Sequence, residues 1–379
     1  MGFDKMRAVS MGFQPLSRLD SPQEVIRQFT PNWFAATMGT GILAIVLAQL
    51  PDPYRTMGEG LWMMNIALFT LFLGLYAARW IYFFDGARRI FGHSVVSMFF
   101  GCIPMGLATI VNGFLIFGTA RFGPVAIEIA TALWWIDVAL SVICGLAIPY
   151  MMFTRQSHSI DQMTAVWLLP MVAAEVAAVS GGLLAPHLAD PQMQLTVLWL
   201  SYILWALSVP VAMSVLVILL LRLAIHKLPH VSMAASSWLA LGPIGTGALG
   251  LITLGQAAPA ILEVNGLGQY AGAALGIGVI GGTLMWGYGL WWLCMAVLIT
   301  LRYLREGMPF NLGWWGYTFP LGVFTMATLK LGQAMSFGVI LAFGHLLIGL
   351  LALCWITVAA KTVQGAWRGD LFAAPCLKE

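Results

Sequence analysis

Charge is what this sequence has least of. Asp, Glu, Lys and Arg make up 9 % of its 379 residues and apolar residues 60 %, where soluble domains carry about 25 % charged side chains. So thin a polar complement cannot cover a globule of this size, which excludes a soluble enzyme, a nucleic-acid binder and a disordered chain. A net charge of +3 marks no polyanionic partner, nucleic acid included. Cysteine is scarce as well: Cys102, Cys144, Cys294 and Cys354 lie in apolar stretches and Cys376 near the end. They form no CxxC pair and no zinc spacing, so neither a disulfide framework nor a metal centre follows. Phosphate-binding loops and nucleophile motifs are missing too, which leaves no cofactor to expect and no sign of ATP use. Residues 1–30 carry Lys5, Arg7, Arg18 and Arg27 without an uninterrupted apolar core or a small-residue cleavage site. They read as a cytoplasmic N-terminal arm, not a removable signal peptide.

Long apolar runs take the place of charge. A helix needs about 20 such residues to cross the hydrocarbon layer. Ten stretches qualify: 31–50, 60–84, 94–118, 124–150, 163–186, 194–222, 235–258, 268–299, 311–332 and 336–361. They predict an all-α integral membrane protein, with a transmembrane domain over 31–361 and a cytoplasmic tail over 362–379. Runs of this length without alternation exclude a β-barrel. Of the 18 Lys and Arg, all but Arg55, Arg121 and Lys330 fall on one side of the ten-span layout. By the positive-inside rule that side is the cytoplasm, and it holds both termini. The expected location is the plasma membrane, the inner membrane in a bacterium.

Every odd-numbered span begins with or contains a proline: Pro31, Pro104, Pro170, Pro243 and Pro320. The step, roughly 70 residues or two spans, is that of a repeated helical hairpin. Four segments superpose as "CIPMGLATIVNG", "LLPMVAAEVAAVSGG", "LGPIGTGALGLITLG" and "TFPLGVFTMATLKLG". Gly106, Gly245 and Gly322 share one position in this superposition, and Gly182, Gly255 and Gly332 another. Hairpins that all point the same way predict a ring about an axis along the membrane normal. Proline inside a helix frees the carbonyl four residues back, which protein or a water-filled cavity tolerates and lipid does not. The odd helices are therefore expected inside, around a central pore kinked at Pro104, Pro170, Pro243 and Pro320. The aliphatic even helices are expected outside. Ordinary packing kinks are the other reading. On the eighth span, Gly268, Gly272 and Gly276 and the pair Gly278 and Gly282 have the spacing of close helix packing, within the chain or between subunits.

The segments "FTPNWFAATMGTGI", "FFGCIPMGLATIVNG", "WLLPMVAAEVAAVSGG", "WLALGPIGTGALGL" and "NLGWWGYTFPLGVFTMATLKLG" resemble the tellurite-resistance/dicarboxylate transporter (TDT) family. That family includes the bacterial tellurite-resistance protein TehA, plant guard-cell slow anion channels, the fungal malate carrier and the fungal sulfite exporter. The resemblance covers residues 29 to 360. It implies ten helices as five quasi-symmetric hairpins around a central pore, usually in a homotrimer. It also implies an anionic cargo: a C4-dicarboxylate of the malate type or a small inorganic anion such as sulfite. Channel-like permeation of chloride or nitrate, or tellurite resistance, is the alternative. In the channel members a phenylalanine matching Phe319 plugs the pore, and a bulky apolar ring at a constriction blocks or dewets such a path. A core role is the other reading for Phe319, and Phe324 is its nearest competitor.

Ionisable groups at membrane depth are functional candidates because isolating a charge there is costly. Glu128 lies near the outer end of the fourth span, Asp137 near its middle and Glu175 early in the fifth. Counting from the prolines puts Glu175 in register with Thr109, Ala248 and Thr325. If that face lines the pore, Glu175 takes up a proton carried with the anion; otherwise it bonds a neighbouring helix. Asp137, on an outer helix, is expected to be structural. Thr109, Asn112, Thr246 and Thr325 are the hydroxyl and amide groups expected along the substrate path. Lys330 at the outer mouth either draws anions or is simply solvated. An intramembrane enzyme with Asp137 and Glu175 as acid and base is a second class of function, although no complementary catalytic group accompanies them.

Overall fold

The computed structural model describes residues 15–377. Lys5 and Arg7 of the arm and Lys378 of the tail lie outside the described residues, among which there is no strand. The body consists of α1 (Pro31–Leu47), α2 (Tyr54–Tyr82), α3 (Val96–Phe122), α4 (Pro124–Thr154), α5 (Ala165–His187), α6 (Pro191–His226), α7 (Val231–Val264), α8 (Gly268–Glu306), α9 (Phe319–Ala334) and α10 (Gly338–Arg368). Eight of these, all but α1 and α9, are long and apolar enough to cross a bilayer. The chain is a multi-pass integral membrane protein. In α1 a four-residue 3-10 turn leads into the 13-residue α-helix Ala35–Leu47, and the 16 residues of α9 follow the 3-10 segment Leu312–Tyr317. Several helices run past the bounds of the hydropathy reading. The second starts at Tyr54, the sixth reaches from Pro191 to His226, the seventh ends at Val264, the eighth at Glu306 and the last at Arg368. The α-helix of the ninth starts only at Phe319. Polar residues flanking an apolar run continue a helix that their own hydropathy does not reveal.

Burial separates the helices into two sets. In α3, α5 and α7 between 72 and 94 % of the most apolar stretch is buried, against 22 to 39 % in α2, α4, α6, α8 and α10. Every residue of Ala35–Leu47 is buried, as is the run from Phe319 to Leu329 in α9. The buried helices pack in cyclic order, α1 on α3, α3 on α5, α5 on α7, α7 on α9 and α9 on α1. Each of the others packs across the seam between two of them, ending with α10 against α9 and α1. Their outward side chains, such as Val217, Leu221, Leu284 and Leu353, are exposed apolar groups suited to lipid.

Local chemistry explains this segregation. Pro104, Pro170, Pro243 and Pro320 are buried, and none lies on the exposed perimeter. Each stands in the first turn of an α-helical segment that follows a 3-10 segment, not at a mid-span kink. There the missing N–H is one that has no intrahelical acceptor anyway, so proline starts the helix without breaking it. The glycines that follow let neighbouring buried helices touch. A Cβ on Gly245 would stand 2.8 Å from the backbone nitrogen of Phe324, and one on Gly322 2.5 Å from Ile42. On α8, Gly278 and Gly282 pack against α7, whereas Gly272 and Gly276 have no neighbour.

A tryptophan repeat joins the two sets. The indole N–H of Trp62 on α2 donates to Ile110 O on α3 (3.2 Å). Trp134 on α4 donates to Ala177 O on α5 (2.9 Å), and Trp205 on α6 to Gly247 O on α7 (2.9 Å). Trp286 on α8 donates to Thr328 Oγ1 on α9 (2.9 Å), and Trp355 on α10 to Thr40 Oγ1 on α1 (3.0 Å). The last of these ties the end of the chain to its beginning. Each exposed helix thus buries an aromatic body while its one donor finds an acceptor on the next buried helix.

Gly322→Val should lower the thermal unfolding temperature in detergent, because overpacking costs about 1–3 kcal/mol. Trp355→Phe should lower it by less, since one hydrogen bond contributes about 1 kcal/mol. Gly276→Ala should cause no loss. Equal melting of Gly322→Val and the parent would contradict the α1–α9 packing described.

Candidate functional site

Two cavities lie inside the ring of buried helices, one at each end. The larger, about 330 Å³, is at the end where the chain termini lie and is lined by the first turns of these helices, including Asn32, Val96, Val166, Ser236 and Trp315. The smaller, about 120 Å³, lies beyond their midpoints. All five contribute to it at helical spacing: Ile42 and Ile45; Thr109, Asn112 and Ile116; Val176, Val179 and Leu183; Thr246, Leu249 and Thr253; Val323, Met326 and Lys330. Among the described residues, no side chain of α2, α4, α6, α8 or α10 lines either cavity. Phe319 lines both, and no other residue does.

The entry of α9 is built to hold that ring in place. Asn311 accepts a hydrogen bond from Gly313 N (2.8 Å) to start the 3-10 segment, and donates to Ser232 O of α7 (3.0 Å). The Trp315 indole donates to Thr362 of α10 (3.1 Å), and the Thr318 hydroxyl to Trp315 O (2.7 Å). Phe319 follows at the switch into α-helix, 3 % exposed. Phe324 is placed differently: it stacks on Trp286 (centroids 6.2 Å, planes 4° apart) and lines neither cavity. It is a core side chain between α8 and α9.

Polar groups divide sharply. In the smaller cavity Asn112 Oδ1 and Thr246 Oγ1 are buried without a hydrogen-bond partner, and Thr253, Gln49 and Lys330 complete the polar wall. No carboxylate lies within salt-bridge distance of Lys330 among the described residues, and none lines this cavity. Thr109 also lines it, but its hydroxyl donates to Gly106 O (2.7 Å) and accepts from Asn65 of α2 (3.1 Å). Thr325 lines neither cavity and donates to Leu321 O (2.7 Å).

The three acids lie off the cavities. Glu175 is fully buried, accepts from Ser208 Oγ of α6 (3.3 Å) and leaves its Oε1 unpartnered. Asp137 is fully buried on α4, and Glu128 is exposed. Thr109, Asn112, Thr246 and Lys330 therefore come together, while Glu175, Thr325 and Asp137 do not join them. Gln49 and Thr253 are wall residues that the sequence reading passed over; Thr253 lies two turns beyond Thr246 on the same face of α7, a spacing that was there to be read. No cluster of three or more His, Cys, Asp or Glu suited to a metal ion occurs among the described residues.

Cavities at both ends of a lipid-shielded ring, divided by one aromatic side chain and carrying no paired catalytic groups, describe a membrane transport protein. Comparison with known proteins identifies the kind. The model of the SLAC1 family, described as voltage-dependent anion channel, matches residues 28–363, and the chain belongs to that family. Its relatives include the sulfite efflux pump SSU1 of Arthroderma benhamiae, 37 % identical over 92 % of this chain and 93 % of that protein. An uncharacterized transporter of Methanocaldococcus jannaschii is 29 % identical over 94 % of this chain and 99 % of its own length. The malic acid transport protein of Schizosaccharomyces pombe is 23 % identical over 91 % of this chain and 80 % of that protein. Family and relatives are transporters and channels, not enzymes, and this protein transports anions across a membrane. The acid–base enzyme reading of Asp137 and Glu175 is thereby set aside.

The wall assignment is open to a direct check. In a chain with its native cysteines replaced, Thr253→Cys and Met326→Cys should react with a membrane-impermeant thiol reagent applied from the Lys330 side, and Thr325→Cys should not. Labelling of Thr325→Cys as fast as Thr253→Cys would mean that α9 is turned from the orientation described.

Proposed function

We propose that anions cross this protein along the axis of the ring of buried helices and that Phe319 is the gate. The observation that carries the reading is that Phe319 alone belongs to the walls of both cavities. An apolar ring there leaves an anion nothing to bind and water little reason to stay, so the path is closed until the ring moves. On this reading all ten helices cross the bilayer as five hairpins. The cyclic packing and the tryptophan repeat support that arrangement, as does the 3-10 segment Leu312–Tyr317 that lengthens α9. The bias of Lys and Arg supports a cytoplasmic side for the termini and the larger cavity, and the membrane on this reading is the plasma membrane. The family resemblance supports a homotrimer, for which Gly272 and Gly276 leave an open small-residue face on α8.

The substrate that fits is a small anion of the sulfite class. Three relatives named for sulfite efflux match at 36–37 % identity, two more at 24 and 22 %, and the relative named for malic acid transport at 23 %. Among the described residues Lys330 is the one cation in the wall of the smaller cavity. A single negative charge is therefore compensated there, which suits hydrogensulfite, nitrate or chloride better than the sulfite dianion or a dicarboxylate. A C4-dicarboxylate of the malate type is the second reading, and chloride or nitrate would share the route. Asn112, Thr246 and Thr253 supply donors from amide and hydroxyl groups. Pro104, Pro170, Pro243 and Pro320 start the wall helices, and Thr109 braces the wall. Glu175 joins α5 to α6 through Ser208, Thr325 bonds back to Leu321 O within α9, and Asp137 has a structural role on α4.

Flux into proteoliposomes, with sulfite, nitrate, chloride and malate compared, tests the reading. Phe319→Ala should raise anion flux about tenfold or more, the effect of removing roughly 1.4 kcal/mol from the barrier. Unchanged flux in a well-folded variant would reject the gate. Lys330→Gln should lower flux about fivefold, as expected for an interaction of roughly 1 kcal/mol, and the difference should shrink as salt screens the lysine. Glu175→Gln should leave the pH dependence of transport as it is; its loss would restore a proton-carrying role.

A further inference from the structure

The wall of the larger cavity is not made by the ring alone. Beyond α10 the chain turns at Gly369, in the left-handed region at φ 87°, and runs back beneath the bundle. Asp370, Leu371, Ala373 and Pro375 of this segment form part of the cavity wall. Phe372 stacks on Trp33 at the start of α1 (centroids 4.9 Å, planes 21° apart). Ala374 donates its N–H to Gln28 Oε1 (3.0 Å) and is buried in a small cluster with Ile90 and Val96. The segment therefore reaches from α10, past α1, to the connection between α2 and α3. The described part of the N-terminal arm fastens its root: Leu16 and Arg18 donate backbone N–H groups to Trp367 O and Arg368 O, and Arg18 pairs with Asp370 (2.8 Å).

We propose that residues 370–377 are a strap closing the cytoplasmic mouth, a second barrier in series with Phe319. Two properties suit the segment to this. Its hold is light, because the Arg18–Asp370 pair is solvent-exposed and such pairs add little. What remains is the Phe372–Trp33 stack, the Ala374 hydrogen bond to Gln28, the turn bond from Asp370 N–H to Gly365 O, the partly buried Leu371 and Phe372 on the main core and a small apolar cluster around Ala374. So short a set of contacts is of the kind that opens locally without unfolding the body. Among the described residues Asp370 is also the one carboxylate in the wall of either cavity, and Arg18 pairs with it there. The strap thus covers the mouth with its bulk and without a free cation to draw an anion in.

The inference rests on the axial route proposed above, and the test separates the two. Gln28→Cys and Ala374→Cys are introduced together into a chain lacking native cysteines and carrying Phe319→Ala, so that the first gate does not mask the second. The pair is tethered with a short bis-thiosulfonate reagent that a reductant cleaves, and sulfite and nitrate flux are measured in proteoliposomes. Tethering should lower flux several-fold, and cleavage should restore it in the same vesicles. A chain ending at Gly369 in the same background should conduct several-fold better than the full-length chain. Equal flux with the tether intact and cleaved would overturn the strap. Flux at the level of empty vesicles before any tethering would instead defeat the axial route itself.

Discussion

Hydrocarbon offers no hydrogen bonds, and this decides where each irregular turn of the chain lies. At the entries of α1, α3, α5, α7 and α9 a 3-10 segment and a buried proline stand where protein surrounds them, whereas Pro124 and Pro191, which start α4 and α6, are exposed at helix ends. The helices that meet lipid are long, and they carry the exposed leucines and valines. Tryptophan reconciles the two sets. Its ring is apolar enough for an outer helix, but its N–H demands an acceptor, and the nearest suitable one is a carbonyl or threonine hydroxyl on the adjacent inner helix. The same demand, met five times around the ring, orients each outer helix against the next inner one.

Close packing of the inner helices has a consequence at the axis. Glycine at Gly245 and Gly322 lets the backbones of α7, α9 and α1 approach to distances no larger residue permits. A tight ring has a narrow centre, and a narrow centre needs only one large side chain to divide it. Phe319, buried in the main core, stands between the two cavities. Beyond it, Asn112 Oδ1 and Thr246 Oγ1 have no hydrogen-bond partner and Lys330 has no carboxylate beside it among the described residues. Buried polar groups normally find partners within the fold. On the proposed reading the Thr246 hydroxyl and the Lys330 ammonium are the donors left for an anion, while Asn112 Oδ1, an acceptor, is left for water.

Much of this was legible in the sequence because it follows from period and composition. The apolar runs mark the spans, and the proline–glycine segments mark the buried set. The phase of each wall was not legible. Counting from proline puts Glu175 level with Thr109, but the cavity residues of α3 are Thr109, Asn112 and Ile116, and those of α5 are Val176, Val179 and Leu183. That is one position further from the proline, and one residue turns a helical side chain by about 100°, enough to move Glu175 from the axis to the seam with Ser208. The 3-10 entries that displace the register have no hydropathy signature. The tail was equally opaque: "GDLFAAPCL" has neither a helical nor a strand period, so its stack on Trp33 depends on tertiary placement alone.

The placement of Phe319 also explains why it, and not Phe324, is suited to move. Phe324 is enclosed by Trp286 and Gly289, and displacing it would leave a void in a close-packed core. Phe319 is also buried in the main core but, unlike Phe324, it has cavity volume on either side. Its backbone stands at the first residue of α9, next to a proline whose nitrogen bears no hydrogen, so no ladder hydrogen bond there has to break. On the proposed reading, a ring so placed opens the axis by turning into that volume while the five helices that define it stay where they are, which Phe324 could not do.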